Sequence, residues 1–294
     1  MLLNNLKTLL KQFSIYPIAR RIWRILLRIS SHKSNNRKLF ELENEIIDLK
    51  KREQQHFDEI FNFLTRIHPF DLNNKVFIKT DYPVAYDSPD HLIPSGTIND
   101  NTTKPAFVEA CFRYFERKIS YLDLGCAGGG LVRNFLEEGH FGIGVEGSDI
   151  SLKNKRAEWG RIPSHLFTAD LTKPLSLIDK KGSLYMFDVI GAWEVMEHFT
   201  EDGVEQVLQT VRSHLAEGGI FTASIATYDI PHTNHHQCVH NEQWWHKKLK
   251  TYDLYPIENQ VLFKLSEFPR GGSIEDINSF NKSIHIVCTN SNKY

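Results

Sequence analysis

Side chains able to do chemistry crowd into two stretches of this 294-residue chain. The first is Trp193-Glu-Val-Met-Glu-His198. Glu194, Glu197 and His198 stand at i, i+3 and i+4, a spacing that a helix presents on one face. The second is Tyr228-Asp-Ile-Pro-His-Thr-Asn-His-His-Gln-Cys-Val-His-Asn-Glu-Gln-Trp-Trp245, which holds four of the chain's 14 histidines, His236 and His240 among them. Histidine ordinarily titrates near neutral pH, so either stretch can take a proton from a hydroxyl. Two carboxylates beside imidazoles can also hold a divalent metal. The structural alternative is a glutamate and a histidine that cap or pack a helix, and a histidine crowd that binds metal adventitiously.

These groups need a scaffold that brings them together, and the sequence organises one around Tyr121-Leu-Asp-Leu-Gly-Cys-Ala-Gly-Gly-Gly130. An apolar, β-prone run breaks into small residues, and a helical pattern resumes at Leu131. Gly125, Gly128, Gly129 and Gly130 can adopt backbone angles closed to other residues. That is the first β-α turn of a nucleotide-binding α/β fold. Phe141-Gly-Ile-Gly-Val145 reads as a second strand ending in Glu146, about twenty residues after the glycines, where an acid grips ribose hydroxyls. Further strand signals are Ser164-His-Leu-Phe-Thr-Ala169 with Asp170 at its end, Tyr185-Met-Phe-Asp-Val-Ile190, and Leu215-Ala-Glu-Gly-Gly-Ile-Phe-Thr-Ala-Ser224. Strand and helix signals alternate with polar residues at the strand ends, where an open parallel sheet binds ligands. The glycine loop alone also fits a dinucleotide-dependent dehydrogenase, which does not explain the Glu194–His198 segment.

Together these residues resemble the class I S-adenosylmethionine-dependent methyltransferases. Asp123-Leu-Gly-Cys-Ala-Gly-Gly129 is similar to the family's D-x-G-x-G-x-G motif, with Ala127 in place of the middle glycine. The resemblance implies a doubly wound, Rossmann-like, mostly parallel sheet, preceded by N-terminal helices. Lys282-Ser-Ile-His-Ile-Val-Cys-Thr-Asn290 would be its antiparallel last strand. It implies S-adenosyl-L-methionine as cofactor, with contacts from Asp123, Gly125, Cys126, Ala127 and Gly129 in the turn. Glu146 and Gly147, Asp170 and Leu171, and Trp193 complete the implied set. His236 best matches the histidine that many members place after the fifth strand, with His240 second; His198 and Glu194 are the other catalytic candidates. E-x-x-E-H resembles the small-RNA ribose methyltransferases and the ubiquinone-pathway O-methyltransferases, which use magnesium there. Metal-free members carry a similar segment, so the metal stays open. The implied reaction is O-methylation of a small-molecule or glycan hydroxyl. The alternatives are an RNA ribose methyltransferase, or a non-catalytic Rossmann-like scaffold dimerised by a coiled coil.

Composition bounds these readings. Net charge is −1 and the pI about 6.9, whereas a bulk nucleic-acid binder is normally more basic. The cysteines, Cys111, Cys126, Cys238 and Cys288, form no C-x-x-C pair and suit a reducing cytosol. No apolar run is long enough to span a bilayer.

The first part of the chain differs from the rest. Residues 1–36 carry apolar residues at helical spacing interleaved with Arg20, Arg21, Arg24 and Arg28, then a polar linker, and no acidic residue precedes Glu41. This suits an amphipathic helix lying on an anionic membrane, which would make a cytoplasmic protein peripheral on the membrane, or equally an ordinary helix docked on a core or partner. Over 37–68, Leu39, Leu42, Ile46 and Leu49, then Ile60, Phe63 and Ile67, follow an interrupted heptad over 39–67, a coiled coil that could pair two chains or a helix packed on its own domain. Residues 69–104 read as a loop-rich connector or a substrate lid, with Tyr82-Pro-Val-Ala-Tyr-Asp-Ser-Pro-Asp-His91 supplying aromatics and carboxylates. The methyltransferase domain then runs over 105–294.

Overall fold

The computed structural model describes residues 76–228, 235–257, 263–264, 267–270 and 283–290. The segments read at 1–36 and 37–68 lie outside the described residues. In chain order the elements begin with β1 (Phe77–Lys79), α1 (Pro89–Leu92), α2 (Ser95–Asn99), α3 (Pro105–Phe115) and β2 (Ser120–Leu124). Next come α4 (Gly130–Glu137), β3 (Phe141–Glu146), α5 (Ile150–Lys153), β4 (Leu166–Thr168), β5 (Ser176–Ile178) and β6 (Phe187–Trp193). Then follow α6 (Glu201–His214), β7 (Leu215–Ala226), α7 (Glu242–Lys250), β8 (Tyr255–Pro256) and β9 (Ser283–Thr289).

Among the described residues, seven strands form one sheet in the order β4-β3-β2-β6-β7-β9-β8. The pairs β2–β3, β2–β6, β3–β4 and β6–β7 are parallel. β9 runs antiparallel to β7 and β8 antiparallel to β9. This is the doubly wound α/β sheet with an antiparallel last strand that the sequence predicts. The apolar runs explain it: Tyr121, Leu122 and Leu124 of β2 are wholly buried, and a strand apolar on both faces needs helices over each. α6 covers one face through Val204, Val207, Leu208 and Val211. α3 and α4 cover the other through Phe107, Cys111, Leu131 and Phe135. Phe135 stacks on Tyr121 with ring centroids 4.1 Å apart. From β2 the chain winds outward to β3 and β4, then crosses back to β6 and β7. The crevice at that reversal is where such sheets bind ligands.

Three local features differ from the sequence reading. β1 and β5 form a small antiparallel pair, Phe77 opposite Ile178, whereas 71–104 reads as loop. Three-residue strands are too short to show a period. The expected helix over 193–198 is not one: Glu194 takes a left-handed φ of 54°, which breaks a right-handed helix. Only a single 3-10 turn, Met196–His198, follows, and α6 starts at Glu201, capped by the Thr200 side chain accepting from Gly203 N. In β7, Phe187 pairs with Leu215 but Val189 with Ile220, so residues 216–219 bulge around Gly218 at φ 69°. No helix among the described residues is long and apolar enough to cross a membrane.

Candidate active site

The glycine turn follows β2. Gly125 has φ +75°, and a Cβ there would lie 2.4 Å from Val195 Cγ2, so glycine is required twice over. Ala127 also sits at positive φ; its N–H donates to Glu146 Oε2 at 2.7 Å and its carbonyl accepts from Trp159 Nε1 at 2.8 Å. Gly128 and Gly130 are small for another reason. A Cβ on Gly128 would meet Asp100 O at 2.7 Å, and one on Gly130 would meet Thr102 O at 2.5 Å. The chain's own 100–102 segment packs against these two glycines. Beneath the turn, wholly buried Glu158 is held by Arg133 at 3.1 Å, Arg161 at 3.2 Å and Asn101 Nδ2 at 3.0 Å. Several charge-assisted bonds are what keep a buried carboxylate tolerable.

Glu146 ends β3 with its carboxylate buried, accepting from Ala127 N and, at 3.2 Å, from Ser148 N. Burial pushes its pKa up despite those donors. The segment before α1 runs along this edge: Ala85 N donates to Gly147 O at 2.9 Å, and Asp170 N donates to Tyr82 O at 2.9 Å. Asp170 Oδ1 in turn accepts from Thr172 N and Oγ1, at 2.9 and 2.6 Å. A cavity of about 510 Å³ opens here, lined by Gly125, Ala127, Glu146, Gly147, Asp170 and Leu171, and farther along by Glu194 and His198.

Four residues of the expected cofactor set stand elsewhere. Asp123, Cys126 and Trp193 border a small separate hollow, and Gly129 lines neither space. The Cys126 thiol lies against β3, where a Cβ on Gly144 would meet its Sγ at 2.7 Å, and burial pushes its pKa up. The Trp193 indole packs 5.0 Å from Phe107 and donates to Tyr121 OH at 2.9 Å, which donates to Asp123 Oδ1 at 2.9 Å. Burial raises the Asp123 pKa to about 7; the Tyr121 hydroxyl opposes the rise and Glu146 adds to it. Their side chains therefore shape the floor of the turn rather than face the main cavity. Period and motif show which residues belong to a turn, not which way each side chain points.

At the far end of the cavity, Glu194, Glu197 and His198 do come together, although not on a helix face. Glu197 is wholly buried, with Oε1 accepting from Ala226 N at 3.2 Å, and burial beside Glu194 drives its pKa up. His198 and His235 both face Asp90, each at 3.2 Å from one of its carboxylate oxygens. Burial disfavours charge on His198, yet Asp90, Glu197 and Glu194 together hold its pKa above the ordinary value. Burial and the neighbouring imidazoles lower that of His235. His236 sits with its ring centroid 5.1 Å from that of His198, and its Nδ1 lies 2.7 Å from Tyr228 O. His240 is apart, paired with Glu201 at 2.9 Å and stacked on Trp244. Asp90, His235 and Arg270, which also line the cavity, are absent from the set that the sequence singles out. Asp90 and His235 stand in stretches flagged for their chemistry; nothing around Arg270 gives a signal.

Residues 100–263 match the family model described as "Methyltransferase domain". The chain belongs to this methyltransferase family. No curated protein matches the sequence. Among solved structures, the methyltransferase is similar to 1,6-didemethyltoxoflavin-N1-methyltransferase from Burkholderia thailandensis, with bound 1,6-didemethyltoxoflavin and S-adenosylhomocysteine. That likeness has 16% identity, covers 68% of this chain and 83% of the other, and has a TM-score of 0.46. An S-adenosylmethionine-dependent methyltransferase from Clostridium acetobutylicum shares 16% identity over 68% of this chain and 95% of its own, at a TM-score of 0.46. An O-methyltransferase family protein from Burkholderia thailandensis shares 14% over 64% and 56%, at 0.42.

Proposed function

We propose that this methyltransferase uses S-adenosylmethionine to methylate a hydroxyl of a small-molecule or glycan acceptor. One observation carries the reading: a single cavity is bounded at one end by the Gly125 turn and Glu146, and at the other by a cluster of carboxylates and imidazoles. The nucleotide end fits the cofactor. A side chain at Gly125 would already collide with Val195, and Glu146 offers a buried carboxylate where ribose hydroxyls need acceptors. Glu146 takes those hydroxyls, Asp170 and Leu171 receive the adenine, and the main chain of 125–127 and Gly147 shapes the wall. Asp123, Cys126, Gly129 and Trp193 support that wall from behind. When bound, S-adenosylmethionine supplies an activated methyl group.

The chain's own task is to align the acceptor and remove its proton. His236 is the base. The Tyr228 carbonyl can only accept, so Nδ1 of His236 carries the donating hydrogen, which leaves Nε2 as the nitrogen that can exchange a proton with an acceptor. A second reading is favoured by two buried oxygens, Glu194 Oε1 and Glu197 Oε2, that have no hydrogen-bond partner among the described residues. One ligand atom each from Glu197, His198 and His236 lie within 4.8 Å of one another. These three make a donor set that could hold a divalent cation, which would activate the acceptor oxygen as a Lewis acid.

The test is a panel of small molecules, glycans and RNA incubated with isotope-labelled cofactor and read by mass spectrometry. Label in a hydroxyl-bearing small molecule or glycan supports the proposal; label in RNA alone replaces it with ribose methylation. A chain that binds no cofactor in calorimetry is a scaffold. On the acceptor found, His236→Ala should lower turnover by about 10²–10⁴-fold. If a chelator abolishes turnover and Glu197→Gln matches the histidine variant, the metal reading holds instead.

The remaining assignments rest on sequence pattern. Residues 1–30 lie on an anionic membrane, and residues 39–67 pair two chains. Residues 69–104 act as a substrate lid, supported by Tyr82, Tyr86 and Asp90 standing at the cavity's edge.

A further inference from the structure

Among the described residues, the cavity wall carries one lysine and one arginine, Lys173 and Arg270. They come from different parts of the chain. Lys173 follows Asp170 closely in sequence and lies 6.0 Å from the Tyr82 ring, beside the Glu146 edge. Arg270 approaches from the segment before β9, beyond the residues matched by the family model. Its Nη1 donates to the carbonyl of Trp193, the last residue of β6, at 3.0 Å, and its Nη2 pairs with Asp100. It borders both the main cavity and the small hollow, as Gly125 does.

The two ends of S-adenosylmethionine have opposite electrostatic needs. The ribose asks for acceptors, which Glu146 provides. The methionyl end carries a carboxylate, which needs a cation in a place shielded from water. We infer that Arg270 binds the methionyl carboxylate of the cofactor, held in place by Asp100 and the Trp193 carbonyl. This assignment rests on the cofactor reading above and names a further residue for it. A guanidinium has five N–H donors in a fixed fork, so the two contacts named leave donors for an incoming carboxylate. Asp100 is fixed as well: its Oδ1 accepts from Thr102 N at 3.0 Å, and its carbonyl accepts from Arg156 at 2.6 Å. The clamp is therefore rigid before the ligand arrives, and its position at the end of β6 places the carboxylate away from Glu146. Lys173, over the Tyr82 ring, makes neither of these contacts.

The test compares two ligands by calorimetry on the full chain. S-adenosylhomocysteine has the amino-acid end; 5′-methylthioadenosine has the same nucleoside and thioether without it. Arg270→Gln should weaken S-adenosylhomocysteine about 10–100-fold, as expected for loss of a charge-assisted pair. It should leave 5′-methylthioadenosine within about twofold, which also shows that the variant is folded. Arg270→Lys should recover part of the loss, and Lys173→Gln should change the preference between the two ligands little. Unchanged S-adenosylhomocysteine affinity in Arg270→Gln overturns the assignment. So does an equal fall for both ligands in the Gln and Lys variants, which makes Arg270 a structural residue. Wild-type protein that binds neither ligand overturns the cofactor site and this assignment with it.

Discussion

Glu146 lines the cavity, and its two carboxylate oxygens accept from Ala127 N and Ser148 N. Glu146→Ala should weaken S-adenosylmethionine binding by about 1.5–3 kcal/mol, measured by calorimetry, and should loosen the turn as well. Gly125→Val should be worse, because it adds a β-branched side chain at φ +75° into space already held by Val195. Wild-type affinity in both variants would remove the site from this turn. Glu146, Asp170 and Gly125 are legible in sequence because the residue type and the strand-end position agree. Trp159, which holds the Ala127 carbonyl, and Asp90, which faces two histidines, are not, since each sits in a helical turn of four residues, too short to show a face.

At the scale of elements, strands are more legible than the turns between them. The apolar runs locate β2, β3, β6 and β7 because both faces are buried. Glu194 to His198 misleads because helical spacing describes a chain that continues regularly, and the left-handed Glu194 interrupts it. One contact ties the starts of β2 and β6. Asp188 accepts from Ser120 N at 2.8 Å and from its hydroxyl at 3.0 Å, and pairs with Arg117 at 2.6 Å. Burial pushes the Asp188 pKa up, but Arg117 and Ser120 outweigh it and hold the group below its ordinary value. A carboxylate whose pKa falls on folding adds stability above its unfolded pKa, about 3.9, and loses it as pH drops through the folded value. Asp188→Asn should therefore lower the Tm at pH 7, with the gap to wild type narrowing below about pH 4. A gap that stays constant from pH 7 down through that range would show that this carboxylate adds nothing.

For the whole molecule, the cationic residues before Glu41 contrast with a net charge of −1 over the full chain. Full-length protein should sediment with anionic vesicles in low salt and less so as salt screens the charges. Deleting residues 1–30 should abolish this and leave cofactor binding intact. Equal sedimentation of both forms would remove the membrane reading.

β9 has a consequence for biosynthesis. It pairs with β7 along seven residues, from Ile220 opposite Thr289 to Ala226 opposite Ser283, and among the described residues it joins β8 to the sheet. Yet it is the last of these three strands to leave the ribosome. Until then the nascent polypeptide offers the edge of β7, a strand whose last eight residues are buried in the finished protein. An open, apolar edge of that length invites other chains. Release ahead of residue 283 should therefore yield aggregating or chaperone-bound protein rather than a weaker enzyme. Expression of a chain stopped at residue 282 tests this: recovery as a soluble, cofactor-binding monomer would show that the sheet closes without its final strand.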